Sequence, residues 1–129
     1  MLPQSRRLTS KDVRYIQKVR KIAFSDHFRV QRVPQYPNRK FHQISIYIAA
    51  DKIHRASWRH YVKRRLLEVL KAYNQKTEIQ KYYKIFLSLN PKTIQIDPRQ
   101  LDTKARKEYF DSLVEKFQRE LPRLLFRIT

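Results

Sequence analysis

The 129-residue chain contains no glycine and no cysteine, and it is poor in acids. The lack of glycine excludes Gly-rich phosphate loops of both the Walker and the dinucleotide-binding type. Turns must instead be made by Pro34, Pro37, Asn38, Asn74, Asn90, Pro91 and Pro98. Nothing in the physics of the chain explains why glycine is wholly absent. The lack of cysteine excludes disulfides and thiolate metal sites. No run approaches membrane-spanning length, and MLPQSRRLTSKD has no apolar signal region. The expectation is a soluble, cytoplasmic protein.

Recognisable catalytic patterns are missing too. His27, His42, His54 and His60 show no metal-ligand spacing. Acids gather toward the C-terminal end, where Asp111 and Glu115 lie one helical turn apart. They follow Arg106 and Lys107, and mixed-charge helix faces of this kind are routine. Serines and threonines occur without a nucleophile motif. The reading is that no protein-only active site is present.

What the chain does have is positive charge. Thirty Lys and Arg stand against 11 Asp and Glu, for a net charge of +19. Hydrophobic residues make up 41% of the chain, enough for one folded domain spanning residues 1–129. A compact domain so charged repels itself unless a polyanion is near. The charge is uneven: residues 1–75 hold 18 Lys and Arg and 4 acids, residues 76–129 hold 12 and 7.

Hydrophobic spacing organises the chain into six elements. Thr9 followed by Asp12 reads as a helix cap, and Val13, Ile16 and Val19 continue a helix over 9–21, after a basic tail at about 1–8. Residues 27–33 alternate as a half-buried strand, 34–38 form a turn, and 41–48 alternate again. A helix follows over 55–73, with Asn74 as its stop. A third strand covers 82–89, with Tyr83, Ile85, Leu87 and Leu89 on one face and Tyr82, Lys84, Phe86 and Ser88 on the other. After a loop over 90–102, in which Ile94 and Ile96 tuck in, a helix runs over 103–120, and Leu124 to Phe126 form an untyped terminal element. The expectation is an α+β domain in the order α-β-β-α-β-α. Its first two strands form an antiparallel pair, its second and third helices cover one sheet face, and its first helix lies near the other face or an edge.

The helix over 55–73 is the strongest functional signal. Trp58, Val62, Leu66 and Leu70 form an apolar stripe, while Arg59, His60, Lys63, Arg64, Arg65 and Lys71 lie on other faces, with Glu68 the one acid among residues 55–73. A rigid helix holding several cations in register suits a phosphate backbone, and arginine adds bidentate geometry. The polar sheet face carries Gln43, Ser45, Tyr47, Tyr82, Lys84 and Phe86, together with Arg29 and Gln31. Two readings stay open for it. It stacks single-stranded bases, or the first helix covers it and its aromatics are core.

The segments MLPQSRRL, SKDVRYIQKV, VKRRLLEVL, YKIFLSLNP and a closing amphipathic helix resemble the bacterial ribonuclease P protein component. The resemblance spans nearly the whole chain, without gaps from Arg7 to about Val30. The family's RNR-x-K-R signature reads Arg59, His60, Tyr61, Val62, Lys63, Arg64, with His60 in place of Asn and Tyr61 in place of Arg. Ahead of it, the family's paired lysines and glycine read Asp51, Lys52 and His54, so only Lys52 matches. The aromatics that line the family's leader-binding cleft fall on Val13 and Gln17, leaving Tyr15 or the sheet face to substitute.

A divergent member of that family is what the resemblance implies, with a left-handed crossover around the second helix. It also implies a partner ribonuclease P RNA that performs hydrolysis with bound Mg2+, and precursor tRNA as substrate, with no membrane or DNA partner. The implied RNA-binding residues are Lys52, Arg55, Arg59, His60, Tyr61, Lys63 and Arg64. The implied cleft for the 5′ leader comprises Val13, Tyr15, Gln17, Arg29, Gln31, Tyr47 and Phe86. The competing reading is a structural RNA-binding protein of ribosomal type.

Overall fold

The computed structural model describes residues 7–19, 22–49, 52–76, 82–90 and 97–126. Helix α1 (Ser10–Val19) begins at the expected cap. The Asp12 amide donates to Thr9 Oγ1 at 3.1 Å and the Thr9 amide donates back to Asp12 Oδ2 at 3.1 Å, so two orphan helix-end donors are satisfied reciprocally. Strand β1 (Ile22–Phe24) follows. It was not expected, because three residues are too few to show a period. Strand β2 is Phe28–Pro34, β3 is Gln43–Tyr47 and β4 is Tyr83–Leu89. Helix α2 covers Ala56–Lys76 and α3 covers Thr103–Phe126. A single 3-10 turn at Pro98–Gln100 precedes α3, within the expected loop. Ile94 and Ile96 lie outside the described residues.

The sheet order is β1-β2-β4-β3. The expected antiparallel pairing of β2 with β3 is not formed. Strand β4 lies between them, antiparallel to β2 and parallel to β3. The physical reason is visible in the connection. A β-turn closes at Tyr36–Arg39, and the Gln43 side chain accepts from Gln35 Nε2 at 3.1 Å and Arg39 Nη1 at 3.0 Å, so this loop is stapled on itself. Strand β4 is largely buried on both faces and takes the central place, as such strands do.

Alternation along β4 divides the core. Ile85, Leu87 and Leu89 face Val62, Leu66 and Leu70 of α2 and Phe110, Leu113, Phe117 and Leu121 of α3. The Phe28 and Phe117 rings meet at 5.0 Å. On the other face, Phe86 joins Ile16 of α1 and Val33 of β2, flanked by Leu8, Val13 and Val19. Helix α3 continues past its expected end at 120 and through Pro122. Leu121 is 1% exposed, so core burial holds this turn in place although proline removes one helical hydrogen bond.

Two carboxylates, Asp12 and Glu120, fasten helices to the sheet and its β1–β2 turn. Lys84 Nζ reaches Asp12 Oδ1 at 2.7 Å and also lies over the Tyr36 ring at 4.1 Å. Burial alone would raise the Asp12 pKa, but hydrogen bonds from Lys84 and Thr9 outweigh it and hold the carboxyl below its ordinary value. At the other end, Glu120 of α3 accepts from the His27 backbone amide at 3.0 Å and lies 2.7 Å from His27 Nδ1. Burial again opposes, and hydrogen bonds from Ser25 and His27 again bring the carboxyl below its ordinary value.

The signs follow from linkage. A carboxyl with a depressed folded-state pKa contributes stability above its unfolded value, about 3.9 for Asp and 4.3 for Glu, and loses it as pH falls through the folded value. Urea unfolding between pH 6 and 2 should therefore show stability falling below about pH 4. Asp12→Asn at pH 7 should cost about 1–3 kcal/mol, because Lys84 stays buried without its carboxylate, whereas Lys84→Met should cost less. Equal losses for the two variants would refute this account of the pair.

Candidate nucleic-acid interface

Helix α2 presents its cations from a fixed base. Val62, Leu66 and Leu70 are each 1% exposed or less. Trp58 is half-buried, its ring 6.1 Å from Phe110 and covered by the Arg106 guanidinium at 4.1 Å. Arg106 in turn donates to the carbonyls of Pro98 and Leu101, tying the start of α3 to α2.

The expected RNA-binding residues divide into groups. His60 and Arg64 are exposed and Lys63 is half-buried, together on the flank of α2 nearest β3. Burial, and then the neighbouring Arg59, push the Lys63 ammonium below its ordinary value. Arg59 is half-buried, and its Nη1 donates to the carbonyls of Ile53 at 2.9 Å and His54 at 2.8 Å. It thereby braces the loop that carries Lys52. Arg55 is exposed at the start of the helix, with its guanidinium 5.0 Å from the Trp58 ring.

Tyr61 points to the opposite flank. Its hydroxyl donates to Asp111 Oδ1 at 2.8 Å, and Arg65 Nη1 donates to the same hydroxyl at 2.9 Å. The Asp111 hydrogen bond, then burial, push the Tyr61 hydroxyl pKa up. Asp111 thus holds α3 to α2 rather than lying on a plain solvated face.

Beside the cationic flank lies a pocket of about 160 Å3 lined by Arg7, Ile44, Ile46, His60, Lys63, Arg64 and Leu67. Arg7 reaches it because its backbone forms a parallel bridge with Ile44 on the outer edge of β3. Arg7, Ile46 and Leu67 were not singled out from the sequence as site residues. Only the fold brings the N-terminal segment to this helix.

The sheet face toward α1 is half covered. Phe86 is 6% exposed and Gln31 is buried, with Arg29 Nη2 donating to Gln31 Oε1 at 2.9 Å. Val13 packs against the Phe86 cluster. Of the two open readings, core is therefore right for Phe86. Tyr47 differs: it is 55% exposed, and its ring stacks beside Phe86 at 6.4 Å. Tyr15 and Gln17 are exposed on α1. The uncovered end of the face is a row across all four strands, in which Phe24 pairs with Arg29, Arg29 with Ser88, and Ser88 with Tyr47. Phe24 was missed because β1 was missed. The row sets an exposed aromatic at each end and an arginine between them, which suits bases and phosphates of a single strand.

No protein-family model and no curated protein matches the chain. Solved structures do. The RNase P protein of Thermotoga maritima, in complex with 1-(4-fluorophenyl)-2-thiourea, has a TM-score of 0.61 at 20% identity, over 92% of this chain and 96% of that one. The Staphylococcus aureus RNase P protein has a TM-score of 0.57 at 15% identity, over 85% and 93%. A variant of the latter with defective mRNA degradation activity has a TM-score of 0.56 at 15% identity, over 87% of each chain. The likeness runs nearly end to end, and at these identities it is one of fold: the chain has the fold of those RNase P proteins.

Proposed function

We propose that this chain is a protein subunit of ribonuclease P, acting in the cytoplasm. It binds the catalytic RNA and grips the 5′ leader of precursor tRNA, assisting endonucleolytic removal of the leader. The observation that carries this reading is a coincidence of place. In a chain folded like RNase P proteins, Arg59, His60, Lys63 and Arg64, which the sequence resemblance sets at the signature positions, lie on the anchored basic helix.

The division of labour follows from the surfaces. His60, Lys63 and Arg64 meet the backbone of the partner RNA, with Arg55 and Lys52 extending the contact. Arg59 positions the loop as well as adding charge. The row of Phe24, Arg29 and Tyr47 takes leader bases and phosphates, with Tyr15 on the neighbouring helix. Among the described residues no three His, Asp or Glu side chains gather to hold a metal. In this reading the Mg2+ belongs to the partner RNA, where it serves hydrolysis.

Three measurements test the reading. Purified protein should stimulate 5′-leader cleavage of labelled precursor tRNA by the ribonuclease P RNA of the same genome at low Mg2+. No stimulation by folded protein, with the RNA active alone at high Mg2+, refutes the subunit role and leaves a structural RNA-binding protein. Second, Lys63→Ala with Arg64→Ala should weaken binding to that RNA and flatten the dependence of log K on log salt by at most about 2 units. An unchanged slope removes these two residues from the interface. Third, Tyr47→Ala should cost about 1–3 kcal/mol of leader affinity with folding stability little changed. Phe86→Ala should instead cost about 3–5 kcal/mol of folding stability. Leader affinity unaffected by Tyr47→Ala would place the leader elsewhere.

A further inference from the structure

The pocket between α2 and β3 has features that a plain phosphate-binding face does not need. Its floor is aliphatic: Ile44, Ile46 and Leu67. Ile44 belongs to the core, while Ile46 and Leu67 are only half-buried and turn part of their surface into the pocket. Its rim is Arg7, His60, Lys63 and Arg64, and among the described residues no carboxylate lines it. A volume of about 160 Å3 holds one planar ring, by comparison with the ~150 Å3 protein cavity that takes benzene.

These features select among anionic ligands. An intact A-form stem presents phosphates on a convex surface and keeps its bases stacked, so it leaves the floor unused. Inorganic phosphate leaves it unused as well. A nucleotide out of its stack offers a ring of the right size and, on either side, the phosphates that the rim would neutralise.

We propose that this pocket takes one unstacked nucleotide of the partner RNA. The base lies on Ile44, Ile46 and Leu67, and the flanking phosphates lie on Lys63, Arg64 and Arg7. The proposal rests on the ribonuclease P reading for the identity of the RNA, but the pocket can be tested without it. Lys63 fits the role: its ammonium is half-buried beside another cation, and an arriving phosphate would relieve both burdens. Arg7 is held at the mouth by the backbone bridge at Ile44, so the pocket is assembled before RNA arrives.

The test uses the full chain and two short RNA hairpins, one uninterrupted and one with a single bulged 2-aminopurine. The bulged hairpin should bind about ten-fold more tightly at equal salt, the scale expected of one seated base. The 2-aminopurine emission should rise on binding, because an aliphatic floor does not quench it as stacked neighbours do. Leu67→Gln replaces the aliphatic surface with a polar amide, adds no charge and suits a helix. It should cut the preference to about three-fold or less while leaving affinity for the uninterrupted hairpin within about two-fold. Equal affinity for the two hairpins, or emission that stays quenched on binding, overturns the proposal. So does an undiminished preference in folded Leu67→Gln protein. If that variant does not fold, the wild-type emission decides alone. A protein that prefers the bulge but fails to stimulate the ribonuclease P RNA overturns the subunit reading and leaves the pocket standing. The converse result overturns the pocket alone.

Discussion

Strand β4 is buried from both sides, and the rest of the molecule is arranged by that fact. Its odd-numbered side chains, Ile85, Leu87 and Leu89, join the core under α2 and α3. Its even-numbered ones, Lys84 and Phe86, receive α1 through Asp12 and Ile16. Each full burial of a large apolar side chain contributes about 1.5–3 kcal/mol, so a slip of one residue would exchange the two sets and forfeit most of it. With the centre of the sheet so committed, β1 and β3 become its edges, and it is at the edges that exposed functional side chains remain.

How far this could be read from the sequence depended on the range of the interaction. The Thr9 and Asp12 cap lies within three residues, and it was legible. So were the faces of β4 and the apolar stripe of α2, because alternation and helical spacing are local patterns. The pairing of β3 was not. Whether two neighbouring strands form a hairpin or admit a third between them depends on a competitor some forty residues away in sequence. Phe86 and Tyr47 share one face and look alike in the sequence, yet only Phe86 is covered, because α1 is short and docks over the other end. The tyrosine at the second arginine position of the signature acquires its partner, Asp111, only through the packing of α3.

That last contact bears on the departures from the signature. The two flanks of α2 do different things. Tyr61 and Arg65 face α3 and close on Asp111, while His60, Lys63 and Arg64 face β3 and the Arg7 segment. An arginine at 61 would add charge on the flank that holds the helices together. A tyrosine there gives ring contact with Phe110 at 6.3 Å and a hydrogen bond to α3 instead. Tyr61 thus ties α2 to α3, while His60, Lys63 and Arg64 lie on the other flank. That flank adjoins β3, whose Ile44 and Ile46 point to α2 and whose Tyr47 points to the opposite face. The cationic helix and the aromatic row thus meet along one edge strand.

The charge balance makes the same division. Four of the 11 acids are engaged with the protein itself: Asp12 with Lys84, Glu120 with His27, Asp111 with Tyr61 and Arg65, and Asp97 with Arg99. Three of these four join elements distant in the chain. Carboxylates spent on fastening α1 to β4, α3 to the β1–β2 turn and α2 to α3 are not available to neutralise the outer face of α2. The net charge of +19 therefore weighs on helix α2, where Glu68 is the one acid among residues 55–73. Such a surface works against the compact state through self-repulsion, and a polyanion that binds it relieves that repulsion. By mass action, whatever neutralises the face also stabilises the fold, so the binding of a polyanion and folding draw on the same electrostatic free energy.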